Sequence, residues 1–240
     1  MLEFGALSDE SVWEIGLSCG GRIKVWVCPE PYRSNAWLEA ARLVGENEPV
    51  MLEIHNLTGE YIVREPNNLK QSFEEGDKFF QVLPPMERLV IVGAVHIAIP
   101  LVKLAEILEM ETIVIEPRAA LADESRFGVT PDRIVQKWPK EALESLSIGP
   151  ESYCVVLTHD PKLDDPAIEF LIRSDAAYIG ALGSRTTQER RKKHLLEKGF
   201  TEDEIARIHG PVGLKIGAKS PEEIALSIIA EIVQVRNENR

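Results

Sequence analysis

ERLVIVGAVHIAIPLVKLAEIL, residues 87–108, is the stretch on which the reading of the whole chain turns. From Leu89 to Val92 it is continuously apolar, as a strand is when helices cover both faces of its sheet. Gly93-Ala94-Val95-His96-Ile97-Ala98 follows as a tight turn from strand into helix. Working outward, further apolar runs alternate with helix-length segments: ETIVIE at 111–116, RIVQKW at 133–138, SYCVVLT at 152–158 and AAYIGALG at 176–183. Strands spaced in this way require right-handed crossovers, and so a parallel sheet. The spacing therefore predicts an α/β fold, a Rossmann-like open parallel sheet with helices on both faces. Ser220-Pro221-Glu222-Glu223 predicts the start of a final helix through IALSIIAEIVQV. Thr186 with Glu189 and Thr201 with Glu204 repeat the capping-box spacing.

Upstream the pattern changes. RIKVWVCPEP reads as a strand, SNAWLEAARLVG as an amphipathic helix, and VMLEIHN with TGEYIVRE as a hairpin turning near Thr58-Gly59. Periodicity fades over residues 66–85, which end in Pro84-Pro85. This predicts a small α+β domain over residues 1–85 and a Rossmann-like domain over 86–240. Hydrophobic residues make up 44% and charged residues 28%, interspersed in the manner of a globular protein. A net charge of −12 argues against nucleic acid and anionic membrane surfaces, which require basic patches. Acids in the first residues and the lack of a long apolar run place the chain in the cytoplasm as an expectation.

In an open parallel sheet, ligands sit beyond the carboxyl ends of the strands, where helix starts present free N–H groups. The turn at Gly93, Ala94 and His96 lies where a dinucleotide fingerprint would, and Glu116 stands about twenty residues on, at the place of a ribose-binding carboxylate. Val95 occupies the second glycine position, where its methyls obstruct NAD(P). An anion cradle and a ligand-free turn are both compatible with this loop. Thr158-His159-Asp160 brings three polar groups to the end of the fourth strand, either to satisfy loop backbone or as a poised base. Gly180, Gly183, Ser184 and Arg185 form a second glycine turn before a helix, with a guanidinium suited to phosphate or carboxylate. The following run Arg190–Lys193 reads as a solvated face.

Cys19, in the glycine-rich GLSCGG turn, is a candidate nucleophile or sulfur ligand, whereas Cys28 and Cys154 fall within apolar strands and read as core. No Cys or His spacing points to a metal site.

Six ordered stretches carry a more specific signal: EIGLSCGGRIKV, IVGAVHIAIPLVKLAEIL, IVIEPR, VVLTHDPKLDDPAI, YIGALGSRTTQERR and IHGPVGLKIGAKSPEEIALSIIAEI. In these the chain resembles the XdhC/CoxI family, accessory factors of xanthine dehydrogenase and related molybdenum hydroxylases. The resemblance implies a cofactor chaperone rather than a metabolic enzyme, with the molybdenum cofactor as bound cargo that is protected, sulfurated and handed to the apo-enzyme. It implies that Cys19 touches sulfur or metal, that Gly183, Ser184 and Arg185 hold the phosphate, and it adds Arg118 of IVIEPR to the cofactor-binding set. Its implied partner is a molybdenum hydroxylase large subunit. Family members of full length carry a further N-terminal stretch before GLSCGG, so a separate polypeptide supplying it is a second expected partner, and a homodimer is compatible with the sequence. The family loop is usually GAGH, from which GAVH here departs. An NAD(P)-linked oxidoreductase using His159 as acid/base, or a nucleotide-binding regulatory module, is the alternative reading, and a pure interaction module with an empty crevice is a third.

Overall fold

A computed structural model describes residues 2–5, 22–25, 27, 33–66 and 71–238. The chain divides into two compact units, Met1–Pro85 and Met86–Arg240. In the first, β1 (Leu2–Gly5) pairs antiparallel with β2 (Arg22–Val25). Helix α1 (Asn35–Gly45) begins where the Ser34 side chain accepts from the Trp37 N–H. Strands β3 (Val50–His55), β4 (Tyr61–Arg64), β5 (Phe73–Glu75) and β6 (Lys78–Leu83) form an antiparallel sheet in the order β4-β3-β6-β5. Ala40 of α1 packs with Val50, Leu52 and Ile54, alternate residues of β3, in the core of this sheet.

The hairpin around Thr58-Gly59 is present, but the fading of periodicity over 66–85 hides two strands, of which β6 lies beside β3 in the interior of the sheet. The turn between them passes through Gly76 at φ 58°, and Phe73 stacks on Phe80 with ring centroids 4.6 Å apart. On β3, the buried Glu53 is satisfied by Arg64 of β4, at 2.9 Å, and by Lys78 of β6.

The second unit is a six-stranded, all-parallel sheet of β7 (Arg88–Val92), β8 (Glu111–Ile115), β9 (Arg133–Val135), β10 (Ser152–Val156), β11 (Tyr178–Ala181) and β12 (Ile208–His209). Its order is β12-β11-β10-β7-β8-β9, so the chain reverses its direction of winding between β7 and β10. The continuous apolar runs have the cause expected of them. Leu89 and Ile91 enter one core cluster and Val90 and Val92 the other, because both faces of the sheet are covered. Helices α2 (Ala98–Ile107) and α7 (Pro221–Glu238) cover the first face, while α3 (Pro139–Glu144), α4 (Pro161–Leu171), α5 (Arg185–Glu197) and α6 (Glu202–Ala206) lie with the second cluster. Cys154 is fully enclosed in β10, and its loss of solvent pushes the thiol up to about 12.

Two of the capping boxes form as expected: Thr201 with Glu204, and Ser220 with Glu223. The third does not. The N-cap of α5 is Ser184, whose hydroxyl accepts from the Thr187 N–H at 3.2 Å, so Thr186 already lies inside the helix. Gly183, at φ 137°, lets the chain turn into the helix earlier than the Thr-x-x-Glu spacing implies. Ser184→Ala is therefore expected to cost about 1 kcal/mol in urea denaturation, and Thr186→Ala to stay within about 0.5 kcal/mol of wild type. The opposite ranking would return the cap to Thr186.

Candidate functional site

Because every strand of the second unit runs the same way, the loops that follow them share one edge. The turn 93–97 leaves β7 and residues 157–160 leave β10, its neighbour at the point where the winding reverses; residues 182–184 leave β11 and 116–118 leave β8. The sequence candidates Gly93, Ala94, His96, Glu116, Arg118, Thr158, His159, Asp160, Gly183, Ser184 and Arg185 all stand at this edge. Gly180 does not reach it: it lies within β11, where an added Cβ would run into Val212 and Tyr178, so its role is packing. Cys19 and Cys28 lie outside the described residues.

Gly93 has φ 105°, and a Cβ there would collide with the Thr158 side chain; the absence of one lets the loops after β7 and β10 close on each other. The next amide, Ala94 N–H, donates to Glu116 Oε2 at 3.0 Å. Among the described residues, the N–H groups of Val95, His96 and Ile97 have no acceptor, and they precede α2, whose N-cap Ile97 makes no side-chain cap. Val95 is partly buried against the apolar layer beneath α2 and α7. The N–H groups of Ser184, Arg185 and Thr186 at the start of α5 likewise have no acceptor among the described residues. The exposed Arg185 side chain makes no ion pair among them. Two helix starts thus offer unused donors and positive dipole ends on either side of β10.

His159 is exposed and held at φ 61°, a left-handed conformation uncommon outside glycine. Asp160 takes the structural option foreseen for it: it is the N-cap of α4 and accepts from Lys162 N–H at 3.0 Å. Thr158 accepts from Asp160 N–H at 3.1 Å and donates to Asp164 Oδ1 at 2.5 Å.

Sequence reasoning missed the side chains that set these loops. Arg191, read as part of a solvated run, is buried: it donates to Gln188 and to Leu182 O, and stands 3.7 Å from Asp164. Gln188 in turn donates to Ala181 O at 2.9 Å. The network joins the end of β11 to Thr158 of β10. Burial is the largest influence on Asp164 and holds its carboxyl above the usual aspartate value, with the Thr158 hydroxyl and Arg191 only partly offsetting it. Arg126, before β9, donates to Ala94 O and Leu121 O at 2.8 Å each and pins the first turn from behind. On the far side of the sheet order, Glu231 of α7 accepts from Tyr178 and from Gly213 N–H, with His209 at 3.5 Å, and anchors the loop after β12. The i, i+3 spacing of Gln188 and Arg191 was the available signal for one of these, but nothing in the sequence distinguished Arg191 from its exposed neighbour Arg190.

Glu116 is 0% exposed. Burial pushes its carboxyl up, but the Arg118 guanidinium and the N–H groups of Arg118 and Ala94 outweigh that and leave it below the usual glutamate value. A lowered folded-state pKa contributes stability above the unfolded value that is lost as the pH falls through the folded one. The stability gap between wild type and Glu116→Gln is therefore expected to narrow in denaturant titrations as the pH drops below about 4.3; a gap unchanged with pH would mean a carboxyl already protonated. Arg191→Met, which leaves Asp164 without its buried counter-charge, is expected to cost about 3 kcal/mol at neutral pH by the same measurement. Loss of less than about 0.5 kcal/mol would place Arg191 in solvent.

Two surface depressions, of about 410 and 350 Å³, open elsewhere, one beside Phe170 and Arg173 of the α4 region and one between α5, α6 and β12. Neither includes His96, His159 or Arg185. The strand-end edge, where unused amides converge, has the stronger chemical case. No helix among the described residues is long and apolar enough to cross a membrane.

Comparison with known proteins agrees with this architecture. A family model described as the XdhC Rossmann domain matches residues 89–232. A Bacillus subtilis protein named as a probable xanthine dehydrogenase subunit is 37% identical over 158 residues, 66% of this chain and 46% of that protein. The molybdenum cofactor insertion chaperone PaoD from Escherichia coli is 33% identical over 95 residues, 40% of this chain and 30% of that one. The matched stretches span less than half the length of these curated relatives. A crystal structure described as a xanthine dehydrogenase from Bacillus halodurans is similar with a TM-score of 0.67 at 25% identity, over 85% of this chain and 64% of that chain. With the family model covering more than half of its length, and the parallel sheet and glycine turns in the order its motifs imply, the chain belongs to the XdhC family.

Proposed function

We propose that the chain is an accessory factor for molybdenum hydroxylases of the xanthine dehydrogenase type, one that binds the molybdenum cofactor as cargo, assists its sulfuration and delivers it to the large subunit of the apo-enzyme. The observation that carries this reading is the pair of helix starts at Val95–Ile97 and Ser184–Thr186, whose N–H groups have no acceptor among the described residues. Such donors suit a phosphate, and a guanidinium beside them adds a planar fork. Arg185 would supply that fork, and Gly183 keeps the backbone of the turn free of a side chain. His159, exposed at the same edge, would exchange a hydrogen bond with the heterocycle of the cargo.

Among the described residues no group of three His, Cys, Asp or Glu side chains could hold a metal ion. In this reading the second unit grips the phosphate end of the cargo. A net charge of −12 is compatible with docking on a protein surface. The names of the relatives support delivery to a hydroxylase in the same sense.

The test is pterin fluorescence of protein purified from a molybdenum-replete host, followed by titration of the stripped protein with molybdopterin. Wild type is expected to carry pterin, and Arg185→Ala to bind at least about tenfold more weakly, as loss of a charged hydrogen bond implies. Absence of pterin binding by wild type would overturn the proposal.

A further inference from the structure

Glu116 closes β8, the position from which a dinucleotide-binding sheet offers a carboxylate to a ribose diol. Here the carboxylate is already filled. Oε1 accepts from Arg118 N–H at 3.0 Å and from Arg118 Nε at 2.7 Å; Oε2 accepts from Ala94 N–H at 3.0 Å and from Arg118 Nη2 at 2.7 Å. A carboxylate has about four lone-pair sites, and these bonds use them. Glu116 is 0% exposed while the Arg118 side chain is 43% exposed, so the guanidinium lies between the carboxylate and solvent.

The arrangement is held from several directions. Leu121 N–H and Ala122 N–H both donate to Arg118 O, at 2.9 and 3.1 Å. Arg126 bonds Ala94 O and Leu121 O together. Asp160, from the loop after β10, adds an attraction to the Arg118 guanidinium from across the β7 turn. A ribose entering here would have to break a bidentate, charge-assisted pair and leave a buried carboxylate with fewer partners.

We propose that Arg118 is a specificity-determining residue: its guanidinium is a built-in occupant of the ribose subsite, so that the edge refuses dinucleotides while its amides stay open to ligands that carry a phosphate but no adenosine ribose. This goes beyond the cargo reading and stands on the geometry at β8 whatever phosphate compound the amides take. It also competes with a second explanation, in which the Val95 methyls alone keep the backbone from a pyrophosphate.

NADH and NADPH fluorescence titrations of wild type, Arg118→Ala, Val95→Gly and the double variant separate these, with thermal unfolding of each as the measure of folding. Arg118→Ala is expected to bind NADH at least about tenfold more tightly than wild type, and to add a similar factor in the Val95→Gly background. Should Arg118→Ala fail to fold, Arg118→Gln, which keeps a donor to Glu116 without the fork, is expected to give a smaller gain in the same direction. Wild type binding either nucleotide as tightly as the Arg118 variants, a full gain from Val95→Gly alone, or no gain in a folded Arg118 variant would each overturn the inference. Molybdopterin titration of the same proteins keeps the two proposals apart: a wild type that binds no pterin sinks the cargo reading alone.

Discussion

An ionised carboxylate taken wholly out of water costs several kcal/mol unless every lone pair is met, and the edge of the parallel sheet is organised around meeting that demand at Glu116. The amide that meets part of it belongs to Ala94, in the turn after β7, and the guanidinium that meets the rest belongs to Arg118, in the loop after β8. Two loops on neighbouring strands are thereby set at hydrogen-bonding distance from one atom group. Arg126 then fixes the carbonyl of the same Ala94, so the turn is held through both its N–H and its C=O side. The next amides, of Val95 to Ile97, are left over, with no acceptor among the described residues.

A second buried network governs the other side of β7. Thr158, Asp164, Arg191 and Gln188 connect the loop after β10 to the carbonyls that end β11. Gly93 and Thr158 bring the two systems into contact, since a side chain at Gly93 would occupy the space of the threonine. A chain with a net charge of −12 thus buries two carboxylates beside the strand-end edge, Asp164 paired with the buried Arg191 and Glu116 with the half-exposed Arg118, in pairs whose geometry holds the loops in place. The exposed Arg185 is a cation at the same edge that these networks do not consume.

The parallel sheet was readable because covering both faces makes each strand a continuous apolar run, and because crossovers impose helix-length intervals between them. Caps at Thr201 and Ser220 were readable because the whole interaction lies within four residues of sequence. What stayed hidden depends on partners far apart in the chain. Arg191 looks like Arg190 until Asp164 comes within reach, and Arg126 has no motif that announces the carbonyl of Ala94, 32 residues away. β6 was missed because Lys78, Gln81 and partly exposed phenylalanines interrupt the alternation, their burial being decided by β3 and Glu53. Glu116 was found by position and its occupant was not, since proximity of an arginine two residues away says nothing about where the guanidinium turns.

Helix α7 lies over α2, and their side chains share one core cluster with the same face of the sheet. On the ribosome this means that the side of α2 that α7 covers waits for its partner through the synthesis of every strand from β8 to β12. The nascent protein therefore carries an uncapped apolar flank from the synthesis of α2 until that of α7, which exposes it to aggregation. Proteolytic clipping ahead of Pro221 would bare that flank again, so α7 guards solubility as well as stability.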